Sequence, residues 1–199
     1  MYEAIGVLEI ASIAWGVGVA DAMAKAAPVE FVETIMVTPG KYVIVVHGDP
    51  SSVDSSVTSG RDVGGDQVLD WVLIPFIDPQ VYAAIRNASR CERVDAVGLI
   101  ETASVAAGIV AADRAAKGAA VTLLQLHLAR GIGGKSILTL TGKLHEVEAA
   151  VDAGKADAAA GGKLIATRII ANPHPDLTQR LLAAARRAPV GHVEPKSLG

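Results

Sequence analysis

The chain has 199 residues, 51% of them hydrophobic but only 4% aromatic, and a formal net charge of −3. That balance, with no basic block, argues against nucleic acid as a partner, and Glu9, Asp21 and Lys25 break the first long apolar stretch, so no membrane-spanning helix is predicted. The start, Met-Tyr-Glu, lacks a basic leader region, and the single cysteine, Cys91, can make neither an internal disulfide nor, by itself, a thiolate cage, so a cytoplasmic, cofactor-free protein is expected.

The first predicted strand is the apolar run Ile5–Ile10. Ser12 stands where an N-cap opens a helix, and that helix carries Asp21 and Lys25 four residues apart. Phe31–Val37 and Tyr42–Val46 read as strands joined by the turn Val37-Thr38-Pro39-Gly40-Lys41. A helix over Val53–Ser59 follows a Gly-Asp-Pro turn, then comes a strand over Val68–Ile74 and a proline-led helix over Pro79–Asn87. Ser89–Asp95 reads as a linker. Beyond it the order repeats: strand Val97–Ile100, cap Ser104, and a helix with Val105, Ile109 and Ala112 on one face and Asp113 and Lys117 on another. Strands Leu123–Leu128 and Ile137–Leu140 flank the glycine-rich turn Arg130–Lys135. A helix over Val147–Ala153, a strand over Leu164–Ile170 and a helix over Pro175–Arg187 complete the second copy, and Ala188–Gly199 is expected to fray.

The two halves match as sequence. Ala4–Val29 returns 92 positions later as Ala96–Val121, with about half of the positions identical. After a two-residue slip, Gly40–Gly48 aligns with Gly134–Gly142. The prediction is therefore α/β (α+β), with two tandem domains, each β-α-β-β-α-β with a closing helix. The first spans residues 1–90 and the second 95–187, each about large enough for its own core, with 188–199 a flexible tail.

The chemistry-bearing residues form no catalytic set, so no enzyme is predicted. Gly134-Lys135-Ser136 ends like a phosphate-binding loop, but the motif's first glycine is Ala129 and the following residues alternate like a strand. The five histidines show no metal spacing, and His47 and His127 fall within strands as structural residues. Glu9 and Glu101 occupy equivalent strand positions; a catalytic carboxylate pair and an interface role are both open, the second favoured because duplication alone explains the symmetry. Cys91 reads as an inert linker thiol.

Several segments, in order and twice over, resemble the tandem-domain shell proteins of bacterial microcompartments, and among them the propanediol-type subgroup. The carriers are Ala-Ile-Gly-Val-Leu-Glu from Ala4, Ala20–Ala27, Gly131–Lys135, the turns before each second helix, and Asn172–His174. The resemblance implies a homotrimer with six pseudo-equivalent domains that tiles a shell facet beside other hexameric and pentameric shell proteins. It implies edge contacts at Lys25 and Lys117, with Asp21, Asp113, Asn172 and His174. Without the resemblance, each Asp–Lys pair reads as a solvated helix face. It further implies a central pore for small polar metabolites, rimmed by Thr38, Pro39, Gly40, Gly131, Ile132, Gly133 and Gly134. In the subgroup a cysteine at the position of Thr38 holds an iron–sulfur cluster; threonine offers no thiolate, so no cluster is expected. Asn172 departs from the arginine common at that edge position. The alternative is a soluble regulatory oligomer that binds a metabolite between subunits, because small duplicated α/β domains also serve that purpose.

Overall fold

The structure, a computed structural model, describes residues 3–186. In the first half the elements are β1 (Ala4–Ile10), α1 (Ile13–Ala26), β2 (Glu30–Val37), β3 (Lys41–Gly48), α2 (Pro50–Gly64), β4 (Val68–Ile74) and α3 (Pro79–Ile85). The second half repeats them as β5 (Ala96–Thr102), α4 (Val105–Gly118), β6 (Thr122–Leu128), β7 (Ser136–Gly142), α5 (Leu144–Ala160), β8 (Leu164–Ile170) and α6 (Pro175–Ala185). Each half forms a four-stranded antiparallel sheet, in the orders β2-β3-β1-β4 and β6-β7-β5-β8. The duplication extends to irregularities: both sheets slip register at the end of the central strand, between Glu9 and Ile10 and between Glu101 and Thr102.

Local chemistry sets the helix starts. Ser12 and Ser104 cap α1 and α4 by accepting from Trp15 N and Ala107 N. Asp49 accepts from Ser51 N and Ser52 N, with Pro50 occupying the first turn of α2. The second helix of each half runs longer than the apolar pattern predicted, Pro50–Gly64 and Leu144–Ala160, because Gly60 and Gly154 let it lie closely on its neighbours. A Cβ at Gly60 would stand 2.6 Å from Met23 Cγ, and one at Gly154 would stand 2.8 Å from the Ala111 carbonyl. The closing helices end at Ile85 and Ala185, before the predicted ends at Asn87 and Arg187. The predicted tail, 188–199, lies outside the described residues.

The strands alternate by face, and the two faces belong to different neighbours. Ala4, Leu8 and Ile10 point at α1 and α2 in a cluster with Met23, Ile44, Val53 and Val57. Ile5, Val7, Val43 and Val45 point the other way and join a cluster that contains Val81 of α3, Ile109 of α4 and the interior of the second domain. The first half thus keeps a core of its own between its sheet and α1 and α2, while the core of the second half runs on into the outer face of the first sheet. The outer face of the first sheet is covered by α3 together with the second domain, because one layer of helices can cover only one side of a sheet.

Candidate functional site

The two strand–strand turns stand side by side. In the first, Gly40 N donates to Val37 O at 2.7 Å, the Thr38–Pro39 peptide is cis, and Gly40 has φ 145°. Thr38, Pro39 and Gly40 line a shallow hollow with Ile13, Met36 and Val37. In the second, Gly131, Gly133 and Gly134 take φ values of 71°, 66° and 86°, a left-handed path that side chains resist. Ile132 bridges these glycines, donating to Ala129 O at 3.3 Å. Gly134 lies against Lys41, which opens β3 at the end of the first turn, so closely that a Cβ would collide with the lysine Cε. All seven residues placed on the rim by sequence are thus in two adjacent turns.

The partners of two charged residues in this region were not read from sequence. Arg130 reaches across to Glu33 of β2 at 2.5 Å, while its carbonyl accepts from His127 Nε2 at 2.7 Å. Glu9 is almost wholly buried; it pairs with Lys41 and accepts from the amides of Val105 at 2.6 Å and Ala106 at 3.1 Å. A carboxylate at the first turn of α4 meets unpaired N–H groups and the positive end of the helix dipole. Glu9 is therefore an interface residue. Its partners lie 96 and 97 positions away, and only the repeat of Glu9 as Glu101 signalled it.

The predicted edge residues divide. Lys25 and Asp21 pair at 2.5 Å on an exposed helix face. Asp113 and Lys117 do not form a solvated face: Asp113 is buried and accepts from Asp78 N at 2.9 Å, while Lys117 donates to Asp113 and to Phe76 O, both at 2.7 Å. This pair ties the second domain to the chain that leaves the first sheet. His174 caps α6, accepting from Asp176 N at 3.3 Å, and Asn172 lies exposed in the link before it. By repeat position Asn172 matches Phe76, the carbonyl that Lys117 holds.

Two groups titrate away from their ordinary values. Hydrogen bonds from Ser52 and then Ser51 hold the Asp49 carboxyl down at about 2. Burial, reinforced by the carboxylate of Glu30 at 2.9 Å, pushes the Tyr82 hydroxyl up to about 12. Both are structural, the first a helix cap and the second a brace between α3 and β2. Cys91 lies in the link between α3 and β5, its thiol donating to Arg93 O at 3.0 Å. Among the described residues no group of three or more His, Cys, Asp or Glu side chains converges as a metal site, and no helix is long and apolar enough to cross a membrane.

The chain is a tandem pair of sheet-and-helix domains with glycine-rich turns gathered at one seam. The BMC domain family matches twice, at residues 4–77 and 96–173, and the chain belongs to that family. The bacterial microcompartment shell protein PduT of Citrobacter freundii is 37% identical over 182 residues, 92% of this chain and 99% of the relative. The carboxysome shell protein CcmK2 of Synechocystis matches over 85 residues at 41% identity, 41% of this chain and 80% of the relative. Among solved structures, a microcompartment protein from Desulfitobacterium hafniense DCB superposes with a TM-score of 0.84 at 44% identity, over 90% of this chain and 99% of that one. A fused, permuted hexameric shell protein of the RMM microcompartment superposes at 0.58, with 26% identity over 80% of this chain and 84% of that one. The chain is a structural subunit of a bacterial microcompartment shell, with two BMC domains in tandem. These relatives give the regulatory alternative no support.

Proposed function

We propose that three chains close into a pseudohexameric ring that tiles a facet of the shell and lines a central pore for small polar metabolites. One observation carries this reading. The two domains meet through unlike surfaces, the outer face of the first sheet against α4, and each surface has an unmated counterpart at the opposite end of the chain. Head-to-tail contacts of this kind propagate until rotation closes them. Thr38, Pro39 and Gly40 alternate with Gly131–Gly134 around the opening, where backbone N–H groups and hydroxyls favour small polar solutes. Lys25 and Lys117, with Asp21, Asn172 and His174, lie along the outer edge where neighbouring rings meet, beside other hexameric and pentameric shell proteins, while Asp113 is buried behind Lys117 and holds it in place.

The role is architectural and not enzymatic, and the shell lies in the cytoplasm. The residues do not fit an iron–sulfur cluster: position 38 supplies a hydroxyl where a thiolate is needed, and Cys91 sits in the inter-domain link. Light scattering of the purified chain, with negative-stain microscopy, tests the assembly. Three chain masses, and three-fold rings that grow into sheets or tubes on concentration, are the expected result. A monomer at every concentration refutes it.

A further inference from the structure

We propose that the C-terminal segment of the chain is a strap: Pro189–Glu194 docks back across the groove between α3 and β6, with Val190 in the groove and Glu194 on Arg90. The inference stands apart from the ring, since every group it invokes belongs to one chain.

The groove lies where the closing helix of the first domain leans on the outer strand of the second. Pro79 and Ala83 of α3, Leu123 of β6 and the link around Cys91 form its walls, and it encloses about 380 Å³. That is room for a few side chains. Its polar groups are spent on one another. Gln80 donates to Val121 O at 3.3 Å and accepts from Leu123 N at 3.1 Å. Ser89 Oγ accepts from Cys91 N at 3.4 Å, and the Cys91 thiol donates to Arg93 O. The surface left facing the groove is apolar, so an apolar occupant gains by covering it, whereas a polar metabolite would shed its water for little in return. One charge remains. Arg90 is exposed at the mouth and has no carboxylate partner among the described residues.

The last described residue points to the occupant. Arg186, at the end of α6, donates through its guanidinium to Cys91 O, so the chain leaves α6 at the mouth of the groove. The residues that follow run Arg187-Ala188-Pro189-Val190-Gly191-His192-Val193-Glu194. Extended chain advances ~3.3 Å per residue, so Val190 reaches about 13 Å from Arg186. Proline at 189 lowers the entropy lost on docking, and Val190 and Val193 supply apolar side chains. Glu194 supplies the carboxylate that Arg90 lacks. The strap gives the two domains a second connection across their seam and lies over Cys91.

The test reads that thiol, the single cysteine of the chain. Ending the chain after Arg186, with circular dichroism unchanged, is expected to raise the rate of maleimide addition at Cys91 about tenfold. In the full chain, Val190→Asp is expected to act alike, and Glu194→Ala to raise the rate about threefold. Under mild oxidation Val190→Cys is expected to form a disulfide with Cys91 inside one chain, consuming both thiols while the chain still runs as a monomer on a denaturing gel. An unchanged rate in both the shortened and the Val190→Asp chains overturns the strap, and so does a Val190→Cys chain whose thiols stay free. A disulfide that joins two chains would assign the groove to a neighbour's tail and overturn docking on the same chain. None of these outcomes bears on the ring, whose mass and three-fold shape are measured separately.

Discussion

Asp49 shows how far one side chain can be held from its solution behaviour at no cost in burial. It is fully exposed, yet two serines hold its carboxyl at about 2 against an ordinary 3.8. A lowered value means the charged form is favoured by the fold, so its stabilisation is complete above the unfolded value and disappears as the pH falls toward 2. Asp49→Ala is therefore expected to lower the melting temperature at neutral pH and to flatten its dependence between pH 4 and 2, as calorimetry across that range would register. Thr38 offers a second test at the same scale. If three copies face one axis, Thr38→Cys gathers three thiols there, and anaerobic reconstitution with iron and sulfide is expected to give the visible absorbance of a cluster. A colourless trimer would place Thr38 off the axis.

Helix and strand order were legible in the sequence because Ser12, Ser104, Pro79 and Pro175 mark helix starts and short apolar runs mark strands. The lengths of α2 and α5 were not, because serine, glycine and alanine carry almost no periodic signal. Those small residues matter through close approach. Gly154→Ala places a methyl 2.7 Å from Ile100 Cδ1 and 2.8 Å from the Ala111 carbonyl, and the backbone atom cannot yield. It is expected to cost about 1–3 kcal/mol in urea unfolding. Gly60→Ala presses on the flexible Met23 at 2.6 Å and is expected to cost less. The burial of Asp113 against the first domain was not legible, whether the residue was read as an edge contact or as part of a solvated face, because a helix's polar side and its domain-facing side look alike when the partner is another domain.

For the molecule as a whole, the two strand–strand turns were legible because glycine-rich turns stand out, whereas the Glu33–Arg130 and Asp70–Lys163 pairs were not, since nothing local announces a partner so far along the chain. In the proposed assembly, growth beyond the ring is decided at the edge. Lys25 pairs only with a neighbour on its own helix surface as far as the described contacts go, so Lys25→Ala is expected to spare the ring. Sheet formation should then begin at about tenfold higher protein concentration or not at all, as turbidity and microscopy would reveal. Unaltered sheets would move the lattice contact elsewhere.

The apolar cluster shared by both halves has a consequence for the peptide between α3 and β5. A protease cut within residues 88–94 should leave two fragments that travel together, since cohesion resides in buried side chains and not in the backbone that crosses between them. What that peptide contributes is stoichiometry. It delivers the two kinds of domain in equal number, so neither can accumulate without the other, and each is free to diverge in sequence without the assembly losing its parity.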